Sequence, residues 1–583
     1  MTERSANQDQ FNWDTATVYQ IYPRSFMEVR DGPHRGEGTI KGITSKLDYL
    51  ADLGVDAIWI SPFYPSPMID GGYDISDYTD VDPCFGNLDD FKELVGEAHV
   101  RSLKVMVDLV LNHTSNEHEW FKESLDPTSP KSDWYVWKDG IKKADGTVLP
   151  PNNWGSVFSM AQRDRYLEGE VELNEIGFTP PVSAWSWNEQ RQQFYLRSFG
   201  ANQPDLNWQN EEVQKAATDV MRFWIDQGVD GFRVDVASHF GKDPLFRDEE
   251  YNEKYHENER RESKDEPTQI LDFPNPYDQL KVEHSAGHMP TLLPLLKKVS
   301  SVLDEYPDKE LRIMYEAYLD PERLEQIAAV SPENSSTFNF TCHFIEWDAQ
   351  VYKDYLETYH AHLHPQATPN QVRGNHDQTR VASPHDLGYW GARSLAVMNL
   401  TLPGNIYIYN GEEGAFKDVD VPEEKLVDTL GFRDDERTPM LWDESKNAGF
   451  SDADTPWLPI EPLYKFMNLE LQKTLPGSTI NLYKELLRLR KSSPALNQNT
   501  PFTSLETTNP NTLAYIRGRG SKEELITIVN FSDKKLVTAI DAPESENRGI
   551  TLISSRREIR NVDIDLARVE LSPNEAIVAI LTR

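Results

Sequence analysis

Carboxylates recur at the ends of short apolar runs, in company that suggests chemistry at a shared pocket. The run 103–111, LKVMVDLVL, carries Asp108 and leads into Asn112 and His113. The run 229–236, VDGFRVDV, ends in Arg233, Asp235 and Val236. The run 311–318, LRIMYEAY, carries Glu316, and a fourth segment reads Gly374-Asn375-His376-Asp377. One strand-terminal Asp is as readily a helix cap as a catalyst. Four such clusters resist that reading, because several carboxylates facing one pocket cost free energy through repulsion and desolvation. Two carboxylates of unequal pKa are what glycosidic bond hydrolysis requires: one attacks or steadies the anomeric carbon, the other protonates the leaving oxygen. Arg233 lies two residues before Asp235, on the same face of a strand, where a guanidinium would keep Asp235 ionised and aimed. Rival chemistries lack their signatures. The sequence has no HExxH or Cys/His metal spacing, no G-x-S-x-G elbow and no phosphate-cradling glycine loop.

These runs need a scaffold that brings their ends together. Further apolar runs lie at 55–63 and near 17–23, 336–344, 370–374 and 404–410. Amphipathic stretches separate them: 39–54 places Ile40, Ile43, Leu47 and Leu50 on one face, and 88–102 does so with Phe91, Leu94, Val95 and Ala98. Eight apolar strands alternating with helices predict an α/β fold, a (β/α)₈ TIM barrel covered on its outer face. Such a barrel does its chemistry at the carboxyl ends of its strands, where the clusters fall. Residues 114–185, rich in Trp, Pro, Gly and Asn, are too long for a βα loop and predict an inserted subdomain after strand 3. A second excursion, 241–290, contains the charge-dense run 249–266, read as a solvated helix or lid. After the helix 481–493 the texture changes to short strands with turns between them. The predicted organisation is a barrel over 1–113 and 186–496, an insert over 114–185, and a C-terminal antiparallel β-sandwich over 497–583.

The balance of 59 basic against 96 acidic residues gives a net charge of −37, which repels phosphate backbones and argues against nucleic-acid partners. Two cysteines, Cys84 and Cys342, read as reduced thiols rather than a disulfide framework. The amino terminus has no secretory pattern, and no stretch approaches the roughly 18 apolar residues of a membrane helix. A cytoplasmic enzyme, monomer or homodimer, acting on imported small oligosaccharides is the expectation.

The motifs VYQIYPRSF (18–26), GGYDISDY (71–78), DLVLNH (108–113), QPDLNW (203–208), GFRVDV (231–236), GNHDQTR (374–380), YNGEE (409–413) and RTPMLWDESKNAGFS (437–451) occur in that order. Together they resemble the α-amylase superfamily, glycoside hydrolase family 13, and its oligo-1,6-glucosidase-like branch, over nearly the whole chain. The resemblance implies Asp235 as nucleophile, Glu316 as acid/base and Asp377 as the carboxylate gripping the 2- and 3-hydroxyls. It further implies that Arg233 orients the nucleophile and that His113 and His376 donate hydrogen bonds to the sugar. Asp74 and Arg380 match a pair that closes the pocket around the terminal 4-hydroxyl, which would make the enzyme exo-acting. Tyr73 is expected to stay off the sugar. A nucleophile and acid about 5–5.5 Å apart would give retention of configuration. Val236, after the nucleophile, resembles a linkage selector that favours α-1,6 bonds.

The sequence also departs from that family. Its calcium loop corresponds to SFMEVRDGPHRGEGTIKGI (25–43), which has Thr39 where an Asp is expected and leaves Asp31 and Glu37 as too few ligands. No metal or other cofactor is therefore expected. Glu316 sits in MYEAY rather than a Gly-Glu context, and Arg373 and Leu441 are unusual for their motifs, pointing to an altered acceptor or linkage. Competing readings are a transglucosylase or sucrose isomerase on the same residues, an α-1,4- or α-1,3-preferring glucosidase, and an inactive scaffold barrel.

Overall fold

The computed structural model describes residues 11–159, 182–253, 280–384, 386–497, 500, 502–542, 547–556 and 560–582. Most of the charge-dense run 249–266 therefore lies outside the described residues.

All eight anticipated strands form. They are β1 (Thr17–Ile21), β2 (Ala57–Ile60), β3 (Lys104–Leu109), β4 (Gly231–Val234), β5 (Arg312–Tyr315), β6 (Ser335–Thr337), β7 (Asn370–Gln371) and β8 (Asn405–Tyr409). They pair in parallel in the order β6-β5-β4-β3-β2-β1-β8-β7. Side chains bridge the remaining gap between β6 and β7: Asn370 accepts a hydrogen bond from the Asn339 N–H at 3.0 Å and donates to the Thr337 carbonyl. The barrel is thus nearly closed. The sixth and seventh runs give shorter strands than expected, because chain beyond Thr337 turns into the short helix Thr341–Phe344 and chain beyond Gln371 enters the loop bearing Asp377.

The period-2 alternation of a strand sorts the side chains. Tyr19, Ile58, Val105, Val107, Phe232, Ile313 and Ile408 pack outward under the helices, in the main core. Val18, Ala57, Trp59, Met106, Met314 and Tyr407 point inward and form a separate barrel-centre cluster. Gly231 is needed there: a Cβ would lie 2.7 Å from the Arg312 carbonyl oxygen. Continuing each inward row toward the strand ends brings Asp108 after Met106, Arg233 after Gly231 and Glu316 after Met314. The interior therefore changes from apolar to charged at one end of the barrel.

The helices anticipated over 39–54 and 88–102 appear as Ile40–Ser45, Leu47–Leu53 and Leu88–Val100. The first is capped by the Thr39 side chain and the last by an Asn87–Asp90 capping box. In the insert, strands Trp137–Lys138, Trp185–Asn188 and Gln193–Leu196 make one small antiparallel sheet that straddles residue 185. Single bridges, His113 to Asp205 and Tyr135 to Leu206, tie the insert back to the end of β3. Beyond the helix Thr479–Ser492 lies a six-stranded antiparallel sheet. One of its faces joins the barrel core through Leu513, Tyr515, Val529 and Val578. The other buries Ile516, Ile526 and Ile528 with Leu536, Val569 and Leu571 of a two-stranded sheet. No helix among the described residues is long and apolar enough to cross a membrane.

Candidate active site

Arg233 is the centre on which the strand-end carboxylates converge. Asp108 and Arg233 sit on one rung of the β3–β4 ladder, and Met314 of β5 faces Arg233 on the next. Arg233 Nη1 donates to Asp108 Oδ1 at 2.6 Å and to Asp235 Oδ1 at 2.5 Å. Its Nη2 lies 2.6 Å from Glu316 Oε2. The strand pattern persists past the last rung: Glu316 N donates to the Val234 carbonyl and Ala237 N to the Glu316 carbonyl. Asp235 and Glu316 are thereby held side by side on the Arg233 guanidinium. Val236 completes the corner. Its N–H donates to Glu316 Oε2 at 3.0 Å, and its φ of 36° places a β-branched residue in the left-handed region, a strained conformation.

Three carboxylates around one guanidinium leave negative charge uncompensated. Burial raises the Asp235 carboxyl well above its ordinary value, and Glu316 and Asp108 push it the same way against the pull of Arg233. Burial likewise pushes Asp108 up to about 6, although it accepts from Trp59 Nε1 at 2.9 Å and Tyr73 Oη at 3.2 Å. Arg233 stands against Asp235 as the sequence suggests, pulling its carboxyl down, while burial and the two neighbouring acids push the other way. That one guanidinium is shared among three acids.

Asp377 is treated differently. Its Oδ1 accepts from Arg433 Nη1 at 2.8 Å and Arg437 Nη2 at 2.9 Å. Burial alone would raise this carboxyl, but His376, Arg433, Arg437 and Arg233 pull it below the usual carboxylate range. Asp428, bound to Arg433 Nε at 2.6 Å, is held low in the same way.

The histidines are buried and neutral. Desolvation pushes His376 down to about 3 and also lowers His113. His376 Nδ1 meets Gln20 Nε2 at 2.8 Å, which leaves Nε2 to carry the ring proton toward Asp377 Oδ2, 3.4 Å away. His113 Nε2 lies 3.1 Å from the Tyr73 carbonyl and 3.2 Å from Gln203 Nε2. Tyr73, left out of the sugar-contacting set, stacks parallel on His376 with centroids 5.2 Å apart while its hydroxyl holds Asp108. Its ring thus lies between the two acid clusters.

The anticipated Asp74–Arg380 pair is not made. Asp74 is fully buried, and its carboxylate accepts from Ser66 Oγ, the Ile69 and Asp70 N–H groups, and Asn202 Nδ2. Arg380 donates to the Asn410 carbonyl at 2.7 Å beneath the Tyr409 ring. The pair that forms is Asp70 with Arg433, at 2.5 Å, and Arg433 joins it directly to Asp377. Asp70 precedes GGYDISDY, and Arg433 lies four residues before Arg437 of the RTPMLWD motif; both stand just outside the segments that carried the resemblance. Lys242 is another residue missed: buried, it holds Asp205 at 2.9 Å and Asn112 at 3.0 Å, fixing the chain beside His113.

In the loop 25–43 each acidic group already meets a cation. Lys41 holds Asp31, Arg24 holds Glu37, and Arg30 donates to buried Glu28 and to the Cys84 carbonyl. Such a loop does not fit a calcium ion, which needs six to eight free oxygens. Among the described residues no three His, Cys, Asp or Glu side chains are grouped to hold a metal.

The chain matches the family model of the alpha amylase catalytic domain over residues 20–499. It is 36% identical to Maltase 1 of Drosophila virilis, covering 98% of this chain and 87% of that protein. It is 34% identical to the oligo-1,6-glucosidase of Parageobacillus thermoglucosidasius, over 97% and 98% of the two. Among solved structures, an alpha-glucosyl transfer enzyme superposes with a TM-score of 0.82 at 33% identity, covering 98% of this chain and 99% of the other. The trehalulose synthase of Pseudomonas mesoacidophila MX-45 does so with a TM-score of 0.78 at 28% identity, over 98% and 99%. A nearly closed eight-stranded barrel, acids gathered at its strand ends and these likenesses over almost the full length agree: the chain belongs to the α-amylase family, glycoside hydrolase family 13, and is a glycoside hydrolase.

Proposed function

We propose that this protein is a retaining, exo-acting α-glucosidase that releases glucose from the non-reducing end of short α-glucosides. The observation that carries the reading is the Asp235–Arg233–Glu316 bridge, two carboxylates held by one guanidinium. In the first step Asp235, ionised, attacks the anomeric carbon while Glu316 passes a proton to the leaving oxygen. Two carboxylates bridged by one guanidinium are too close to hold a water between them beside the sugar, so a covalent glycosyl-enzyme forms and configuration is retained. Water then enters on the Glu316 side, gives that carboxylate a proton and displaces Asp235. Asp377, kept ionised by its two arginines, grips the 2- and 3-hydroxyls, and His376 and His113 donate to the same ring.

Exo action is read from Asp70 and Arg433, whose ion pair stands beside Asp377 and would close the site beyond one hexose. Val236, buried at the corner between nucleophile and acid, narrows the leaving-group side and favours α-1,6 links. A pocket difference of one or two methyl groups is worth about 1–3 kcal/mol, so the preference is graded. The Arg30-filled loop makes calcium unnecessary. The enzyme would work in the cytoplasm on imported sugars. Transglucosylation is the second reading, favoured by the likeness to an alpha-glucosyl transfer enzyme and a trehalulose synthase. The test is a product profile on isomaltose, maltose and sucrose. Free glucose, fastest from isomaltose, is expected; isomerised sucrose or longer oligomers as main products would replace hydrolysis by transfer.

A further inference from the structure

A second cleft, of about 720 Å³, opens where the barrel meets the C-terminal sheet. Its floor is the helix Thr479–Ser492 and the chain entering it; Arg393, of the helix Gly388–Thr401, and Ile553, Ser554, Arg556 and Arg560 form its walls. Among the described residues the charged side chains lining it are Arg393, Lys484, Arg488, Arg556 and Arg560, against one acid, Glu485. Across the whole chain acids outnumber bases 96 to 59, so five bases to one acid among the described lining residues inverts the bulk composition.

The cleft is not neutralised from within. Glu485 pairs with Arg560, and Lys484 reaches out to Asp52. Arg393 is buried, yet its donors go to neutral oxygens only: the Ser555 carbonyl, Thr479 Oγ1 and the Gly477 carbonyl. Arg556 lies 4.1 Å over the Trp390 ring, which Arg393 also approaches at 5.6 Å. Its Nε is buried with no hydrogen-bond partner among the described residues. Arg488 is exposed and has no ion pair among the described residues. Three positive charges, Arg393, Arg488 and Arg556, therefore face one cavity beside the first turn of a 14-residue helix. Guanidinium forks and a helix start together favour a tetrahedral oxyanion. The volume suits a whole small molecule rather than an ion alone. Tyr389 and Trp390, partly exposed, stand next to the cleft against Arg393, and Trp390 also against Arg556.

We propose that this cleft is a binding site for a phosphate-bearing small molecule, distinct from the candidate active site and contributed jointly by the barrel and the C-terminal domain. Isothermal titration calorimetry with pyrophosphate and with glucose 6-phosphate, at an ionic strength fixed by potassium chloride, tests it. Saturable one-to-one binding is expected for the full chain, weakened at least about 10-fold in the double variant Arg488→Gln/Arg556→Gln by loss of two charge-assisted contacts. Hydrolysis of a chromogenic α-glucoside should be unchanged in that variant, and the single exposed-site variant Arg488→Gln should show part of the loss. Tighter binding of glucose 6-phosphate than pyrophosphate would place the sugar against Tyr389 and Trp390; the reverse order would assign the site to the phosphate alone. No saturable heat from either probe, or equal heats in wild type and double variant, would overturn the proposal.

Discussion

The candidate active site contains two acid clusters that differ in one respect, the ratio of carboxylate to guanidinium. Around Arg233, three acids, Asp108, Asp235 and Glu316, share one cation. Around Arg433 and Arg437, three acids, Asp70, Asp377 and Asp428, share two. Burial penalises charge in both. In the first cluster it prevails and lifts Asp235 and Asp108; in the second the paired guanidiniums overcome it and depress Asp377 and Asp428. The first is built to exchange a proton and the second to stay charged. Barely more than one tyrosine, Tyr73, separates them, so stoichiometry of charge rather than depth of burial assigns the roles.

The sharpest way to break this contrast is to neutralise one acid in each cluster. Asp235→Asn should lower kcat/KM on a chromogenic α-glucoside by roughly 10⁴-fold or more, as loss of a nucleophile does. A carboxyl raised in the folded state contributes stability below its unfolded pKa and loses it as pH rises through the folded value, so it opposes folding at neutral pH. Asp235→Asn should therefore raise Tm at pH 7. Asp377 has the opposite sign: its depressed value contributes stability above the unfolded pKa that is lost as pH falls through the folded one. Asp377→Asn should lower Tm at pH 7. Shifts of the same sign in both variants would erase the distinction.

Arg433→Met removes a cation from three acids at once and should cost roughly 3–5 kcal/mol in denaturant unfolding, because it leaves buried carboxylates unpaired. In wild type the acid limb of kcat/KM should belong to Asp235 and lie above the ordinary carboxylate range of about 3.9–4.3. In Arg433→Met a second group, Asp377, should join that limb. His376, pushed down to about 3, should add nothing to the profile above pH 5. A smaller effect is expected at the corner between the acids: Val236→Ala should raise the ratio of α-1,4 to α-1,6 hydrolysis by about 10-fold, measured as kcat/KM on maltose and isomaltose. Smallest of all, excess chelator should leave Tm and activity unchanged, since cations of the chain itself occupy the loop 25–43.

The barrel was legible because its strands are buried on both faces and read as continuous apolar runs. Asp108, Arg233, Asp235 and Glu316 were legible because strand periodicity fixes which face they share. The closing pair was not. Asp70 and Asp74 lie in one turn without periodicity, and only the fold tells which carboxylate is used up by local N–H groups and which remains for an arginine. Arg433 sits in the irregular stretch between the short helical turns Glu423–Lys425 and Asp435–Arg437, where no repeat announces a side chain's direction. Protonation was equally hidden: Arg233 beside Asp235 suggests a lowered pKa until Asp108 and Glu316 are counted against the same guanidinium.

The pairing of Asp235 and Glu316 as nucleophile and acid is tested most directly by the anomeric form of the first glucose released, followed by proton NMR before mutarotation. Appearance of α-glucose is expected. Initial β-glucose would mean that water attacks directly across a gap between the acids, and would contradict a pair working by double displacement.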